Sequence, residues 1–381
     1  MAKRGNDDPG EKVAMVLSGG VALGAYQAGA YAALHERGEP RLDWLAGASV
    51  GAVNATIIAG NPPERRVERL RQFWAKAGLP MPLSEAVSPV QGPWRHALGW
   101  MSVLQSRLFG LPGLFRPRAS PWSQEPWSPA GDSVQRLGLY DPSPLRSTLG
   151  EVVDFGRLNG NEIRVSVLTI DVTSGEEVIF DTARGDRIGP DHLLASCGFL
   201  PEFPPVWIGR RLLGDGGLGA NAPIDVVLGE IGTERDMLCF VVDLFARDSA
   251  PPRSLEGAAA RRLDLIFSNQ ARRSLDFHQQ VYRLRHMIAR LGARLPPGVR
   301  MEAEMAPVLR EGYDHRMTVL YLSHRAPADA PGDKTFDFSA AALAERWNAG
   351  ALDMTAALRT LADLPNPSSR PPGLTVHQIR R

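Results

Sequence analysis

The chain lacks most of what would tie it to a metal, a redox partner or a membrane span. Its 381 residues include two cysteines, Cys197 and Cys239, which allow at most one disulfide and give no metal-site spacing. Both lie in apolar stretches and read as buried free thiols. Lysine is scarce, at Lys3, Lys12, Lys76 and Lys334, so nearly all of the 43 basic residues are arginine. The formal net charge of +1 excludes a global attraction to nucleic acid. No apolar run reaches the ~20 residues of a spanning helix, and the polar opening MAKRGNDDPGEK has no signal-peptide core. The expectation is a cytoplasmic protein. Hydrophobic residues make up 44% of the chain, enough for one large core, or one core with an appended helical unit.

The informative segments are three glycine turns. Gly47-Ala48-Ser49-Val50-Gly51 follows the short apolar strand DWLAG and precedes the helix-capable run AVNATIIAG. A G-x-S-x-G there lifts the serine hydroxyl clear of a sheet, with the following helix pointing free N–H groups and a positive dipole end at the turn. The alternative is an ordinary N-cap serine. Upstream, VAMVLSGGVALGAYQAGAYAAL reads as a strand over Val13 to Leu17, a turn at Gly19 and Gly20, and a helix from about Ala22. Downstream, Asp215 precedes Gly216 and Gly217 in a turn between a short strand and a helical run. Glycines at 19, 20 and 24 miss the dinucleotide spacing, and no G-K-[ST] follows either loop. An anion cradle beside a serine remains, which is what acyl transfer needs.

Together these segments resemble the patatin-like phospholipases, with a GG-x-x-x-G loop, a G-x-S-x-G elbow and a downstream D-G-G. GASVGAVNA, DGGLGANAP and ASCGFLPEFPP extend the likeness to about residues 12–245. HRAP, KTFDFS and ERWNAG, between His324 and Gly350, are similar to the tail of a bacterial branch of that family. The resemblance implies a Ser49–Asp215 dyad working through an acyl-enzyme, an oxyanion hole from the amides of Gly19, Gly20 and Val21, and supporting roles for Gly24, Gly47, Gly51, Gly216 and Gly217. An acyl-lipid or phospholipid substrate is implied; no cofactor or metal is expected, and the protein is expected in the cytoplasm with peripheral contact with the inner membrane face. Valine at 21 replaces the family's third glycine. Because Ala22 to Gly24 already start a helix, the expectation is that Val21 sits at negative φ, where a β-branched residue is comfortable. Three other readings remain. One is an α/β-hydrolase triad using His278, His286, His315 or His324; the chain has too few strands before its elbow for that fold, and these histidines read as structural. The second is a polyhydroxyalkanoate depolymerase or thioesterase with the same dyad. The third is lipid binding without turnover.

The expected architecture is a three-layer α/β fold on a mainly parallel sheet. It carries a lid-like insertion at about 80–140 and a helical extension over 255–365 that includes one further strand, MTVLYLS, with loose termini at 1–11 and 366–381. Within the insertion, Trp94, Leu98, Met101, Leu104 and Leu108 recur at helical spacing, followed by Trp122 and Trp127. The stripe reads as core packing, with a lipid-seeking surface flanked by Arg95, Arg107, Arg116 and Arg118 as the alternative. Eight arginines between Arg261 and Leu295 read as a solvated helix face rather than a membrane-facing one.

Overall fold

The computed structural model describes residues 11–38, 40–79, 93–118, 134–230, 236–327 and 329–379. Among the described residues, nine strands form the main sheet: β1 (Lys12–Leu17), β2 (Trp44–Ala48), β3 (Arg164–Asp171), β4 (Glu177–Asp181), β5 (Val206–Ile208), β6 (Arg211–Asp215), β7 (Met237–Asp243), β8 (Arg316–Ser323) and β9 (Gly373–Gln378). Their order is β9-β8-β7-β1-β2-β3-β6-β5, with β4 also on β3. The six strands from β9 to β3 are parallel, and at the other edge β4 and β6 pair antiparallel with β3 and β5 pairs antiparallel with β6. β1, β2 and β7 are apolar almost throughout and buried on both faces, as parallel strands under two helical layers must be. Met15 and Leu17 join one apolar cluster while Ala14 and Val16 join the other. This alternation is the three-layer arrangement. Leu17 pairs with Gly47 on one side and Val242 on the other, so the turns after these strands open together at one edge, where such sheets hold ligands.

The principal helices are α1 (Ala25–Glu36), α2 (Val50–Ala59), α3 (Pro63–Ala77), α4 (Pro93–Phe109), α5 (Ser143–Val152), α6 (Pro190–Ser196), α7 (Leu255–Gly292) and α8 (Ala340–Asp363). Every residue of α2 is buried, so the helix behind the serine turn is an internal element. None of the described helices is long and apolar enough to cross a membrane.

The C-terminal region is more than a helical extension. β8 and β9 continue the central sheet, so 373–378, expected to be loose, form an edge strand pairing Met317 with Leu374 and Val319 with Val376. Residues 1–10, 380 and 381 lie outside the described residues. α8 crosses α1 at two glycines: a Cβ on Gly29 would collide with the Trp347 carbonyl, and one on Gly350 with the Tyr26 carbonyl.

Of the insertion, 80–92 and 119–133, with Trp122 and Trp127, lie outside the described residues. The rest includes α4 and a short ladder of Arg116–Pro117 with Tyr140–Asp141. α4 buries Ser102, Val103 and Ser106 and leaves Trp94, Met101, Leu104 and Leu108 exposed, Trp94 at 75%; Leu98 is half-buried. The core-packing expectation for the stripe is therefore corrected. The buried face is the one that docks on the C-terminal region, where Ser106 Oγ donates to the Phe336 carbonyl at 2.7 Å.

Candidate active site

Ser49 ends the β2 turn with φ 54 and ψ −128, a conformation that costs a non-glycine residue ~1–3 kcal/mol and persists only where its surroundings over-determine it. Those surroundings are visible. A Cβ on Gly51 would collide with the Leu17 carbonyl, and one on Gly47 with the backbone of Gly51 and Ala52, so the flanking glycines let α2 start against β1. The Ser49 amide donates to Ser196 Oγ at 2.9 Å, and Ser196 in turn donates to the Leu168 carbonyl at 2.7 Å. Ser196 lies in ASCGFLPEFPP, and its role had no local signal.

Asp215 closes β6 opposite Thr169 and is 2% exposed. Burial pushes its carboxyl up to about 7, opposed by hydrogen bonding from the Ser49 hydroxyl and the Gly217 amide. The Gly217 N–H reaches Asp215 Oδ1 at 2.7 Å. Gly216 fits where a side chain would strike Leu168, and Gly24 where one would strike Val50.

The glycine loop departs from expectation twice. Val21 has φ 50, a left-handed angle and not the negative one inferred from the following helix. The turn after Gly20, at φ 156 and ψ 24, enters a single 3-10 turn, and its first residue takes the strain. Gly19, expected in the oxyanion hole, donates its N–H to the Asn221 carbonyl at 3.0 Å, while Asn221 Nδ2 donates back to the Gly19 carbonyl at 3.2 Å. Its amide therefore ties the loop to the D-G-G turn. Among the described residues, the amides of Gly20 and Val21 have no hydrogen-bond partner outside regular helix or strand bonding.

Two cavities meet at Ser49. One, about 70 Å³, is apolar and lined by Val50, Phe73, Trp74, Phe115, Phe203 and Phe338 among others. The other, about 360 Å³, holds Gly19, Gly20, Val21, Ser49 and Asp215 together with Arg107, Glu202, Arg262, Asp333 and Phe336. The tail thus supplies Phe336 and Phe338. Arg346 explains how it is held, donating to the carbonyls of Ala22 at 3.2 Å, Asp337 at 2.7 Å and Lys334 at 2.8 Å. Arg107 of α4 pairs with Asp333 at 2.8 Å and lies over the Phe336 ring. Among the described residues, no histidine lines either cavity. His278 and His286 face Asp225 and Asp314 at 2.7 and 2.6 Å, His315 lies 4.0 Å from Asp236, and His324 packs edge-on against Tyr26.

A layered, mainly parallel α/β sheet with a strained serine at a strand–helix turn, facing a buried carboxylate and a glycine loop, defines the class of protein. Residues 15–228 match the model described as Patatin-like phospholipase, and the chain belongs to that family. A second model, described as Patatin phospholipase, matches residues 265–369. No curated protein matches. Among solved structures, VipD from Legionella pneumophila is similar at 16% identity with a TM-score of 0.40, over 92% of this chain and 67% of that one, too distant to bear on function. Family membership implies a lipid acyl hydrolase.

Proposed function

We propose that the protein hydrolyses carboxylic esters of acyl lipids through Ser49 and Asp215. The observation that carries the reading is a serine in a strained elbow, beside a buried aspartate of raised pKa, at the mouth of an apolar cavity. Asp215, as carboxylate, takes the Ser49 proton as Oγ bonds to the acyl carbon. The amides of Gly20 and Val21 hold the oxyanion. As the tetrahedral intermediate collapses, the ester C–O bond breaks and Asp215 returns the proton to the leaving alkoxide. Water, deprotonated by Asp215, then attacks the acyl carbon; the bond to Ser49 Oγ breaks, Asp215 returns the proton to Oγ, and the fatty acid leaves. The apolar cavity is suited to the acyl chain and the wider polar one to the leaving group. The exposed stripe of α4 supports contact with a lipid surface. A panel of phospholipids, lysophospholipids, acyl thioesters and hydroxyalkanoate oligomers, with released acids identified, tests the reading. The expected result is fatty acid released from lipid esters by the wild type and not by Ser49→Ala. Turnover confined to thioesters or hydroxyalkanoates would select the other substrate class, and turnover of none would leave lipid binding alone.

A further inference from the structure

A second concavity, about 320 Å³, opens where the C-terminal ends of β7, β8 and β9 meet α7. It shares no lining residue with either cavity at Ser49. Three guanidinium groups from three parts of the fold line it: Arg247 after β7, Arg272 on α7 and Arg325 after β8. Asp248 lines the basin and Asp276 pairs with Arg272, so three positive charges against these two negatives leave a net +1. Arg272 uses its Nε for Asp276 at 2.7 Å; Arg247 and Arg325 form no side-chain ion pair among the described residues. Ser268, 2% exposed, also lines the basin, and its buried hydroxyl has no hydrogen-bond partner among the described residues.

The geometry points to a binding site for a phosphate group, separate from the ester-hydrolysing site. Guanidinium forks recognise oxyanions through paired N–H donors. Three of them arriving from different elements suit a tetrahedral dianion better than a planar monoanion. The phosphate could belong to a soluble ester or to a lipid headgroup.

The test uses the full chain carrying Ser49→Ala, which removes turnover. Inorganic phosphate is titrated calorimetrically at constant ionic strength, and phosphatidylcholine vesicles with and without phosphatidic acid are tested by co-sedimentation. Arg247→Gln and Arg325→Gln alter exposed side chains and should leave the fold intact. Each should weaken binding about tenfold or more, the usual worth of a charge-assisted hydrogen bond, while Arg262→Gln in the leaving-group cavity should not. Saturable phosphate binding with that pattern supports a soluble ligand. Binding only to phosphatidic acid vesicles, with the same pattern, supports a lipid phosphate. Absence of binding in both formats, or binding weakened by Arg262→Gln and not by the basin variants, overturns the site.

Discussion

Val21 and Ser49 both hold positive φ, and glycine would serve one position and not the other. A left-handed angle costs an L-residue roughly 1–2 kcal/mol, more when β-branched, while glycine's added freedom costs ~0.5–1 kcal/mol. Val21→Gly should therefore hold or raise stability by up to about 1 kcal/mol and leave turnover within about threefold, because the loop already has the glycine-like angle. Urea unfolding and ester kinetics check this; a clear loss of stability or a tenfold gain in turnover contradicts it. Asp215 gives the second prediction. Its folded carboxyl sits near 7 against ~4 unfolded, so between those pH values the folded chain binds more protons, and stability falls as pH rises through the window. Asp215→Asn should remove that pH dependence, worth a few kcal/mol across the window, while abolishing hydrolysis. The wild-type kcat/KM should rise with a midpoint near pH 7, as the base ionises. Asp243, raised to about 6 by burial, accounts for residual slope in the variant; an unchanged slope contradicts the assignment. Ser49 and Asp215 were legible because tight turns impose glycine next to them. Ser196 and the Asn221–Gly19 pair were not, since their hydrogen bonds join segments far apart in sequence. Val21's angle is set by a loop closed from both sides, which local helix signals do not report.

At the scale of elements, α4 shows what periodicity can and cannot decide. Helical spacing correctly gave a helix over the stripe at Trp94 to Leu108, yet one apolar stripe fits a core or a lipid surface equally well. The choice fell to the opposite face, where Ser102, Val103 and Ser106 pack inward. Exposed apolar side chains of this kind partition into a membrane interface at ~25 cal/mol per Å² of apolar surface removed from water. Met101→Ser with Leu104→Ser should therefore lower hydrolysis of vesicle-borne phospholipid about tenfold or more while leaving a soluble short-chain ester nearly unaffected. Equal loss on both substrates would mean that α4 serves only to pack over the site.

At the scale of the whole molecule, the parallel sheet was legible from apolar strands alternating with helices, while the C-terminal strand was not. GLTVHQ is short and polar at one end, and only its place beside β8 makes it a strand. That pairing, the α1–α8 crossing and the reach of Arg346 to Ala22 make the C-terminal region part of the site. Gly350→Ala would press a methyl group onto the Tyr26 carbonyl, and overpacking of this kind costs about 1–3 kcal/mol. Denaturant unfolding should show that loss together with reduced turnover, whereas unchanged stability would mean that the crossing is loose. The most direct measurement is peptide mass spectrometry after reaction with an alkyl fluorophosphonate. One adduct is expected, on the peptide carrying Ser49, formed more slowly in Asp215→Asn and absent in Ser49→Ala. An adduct on another serine, or ester hydrolysis that persists without Ser49, would contradict the assignment.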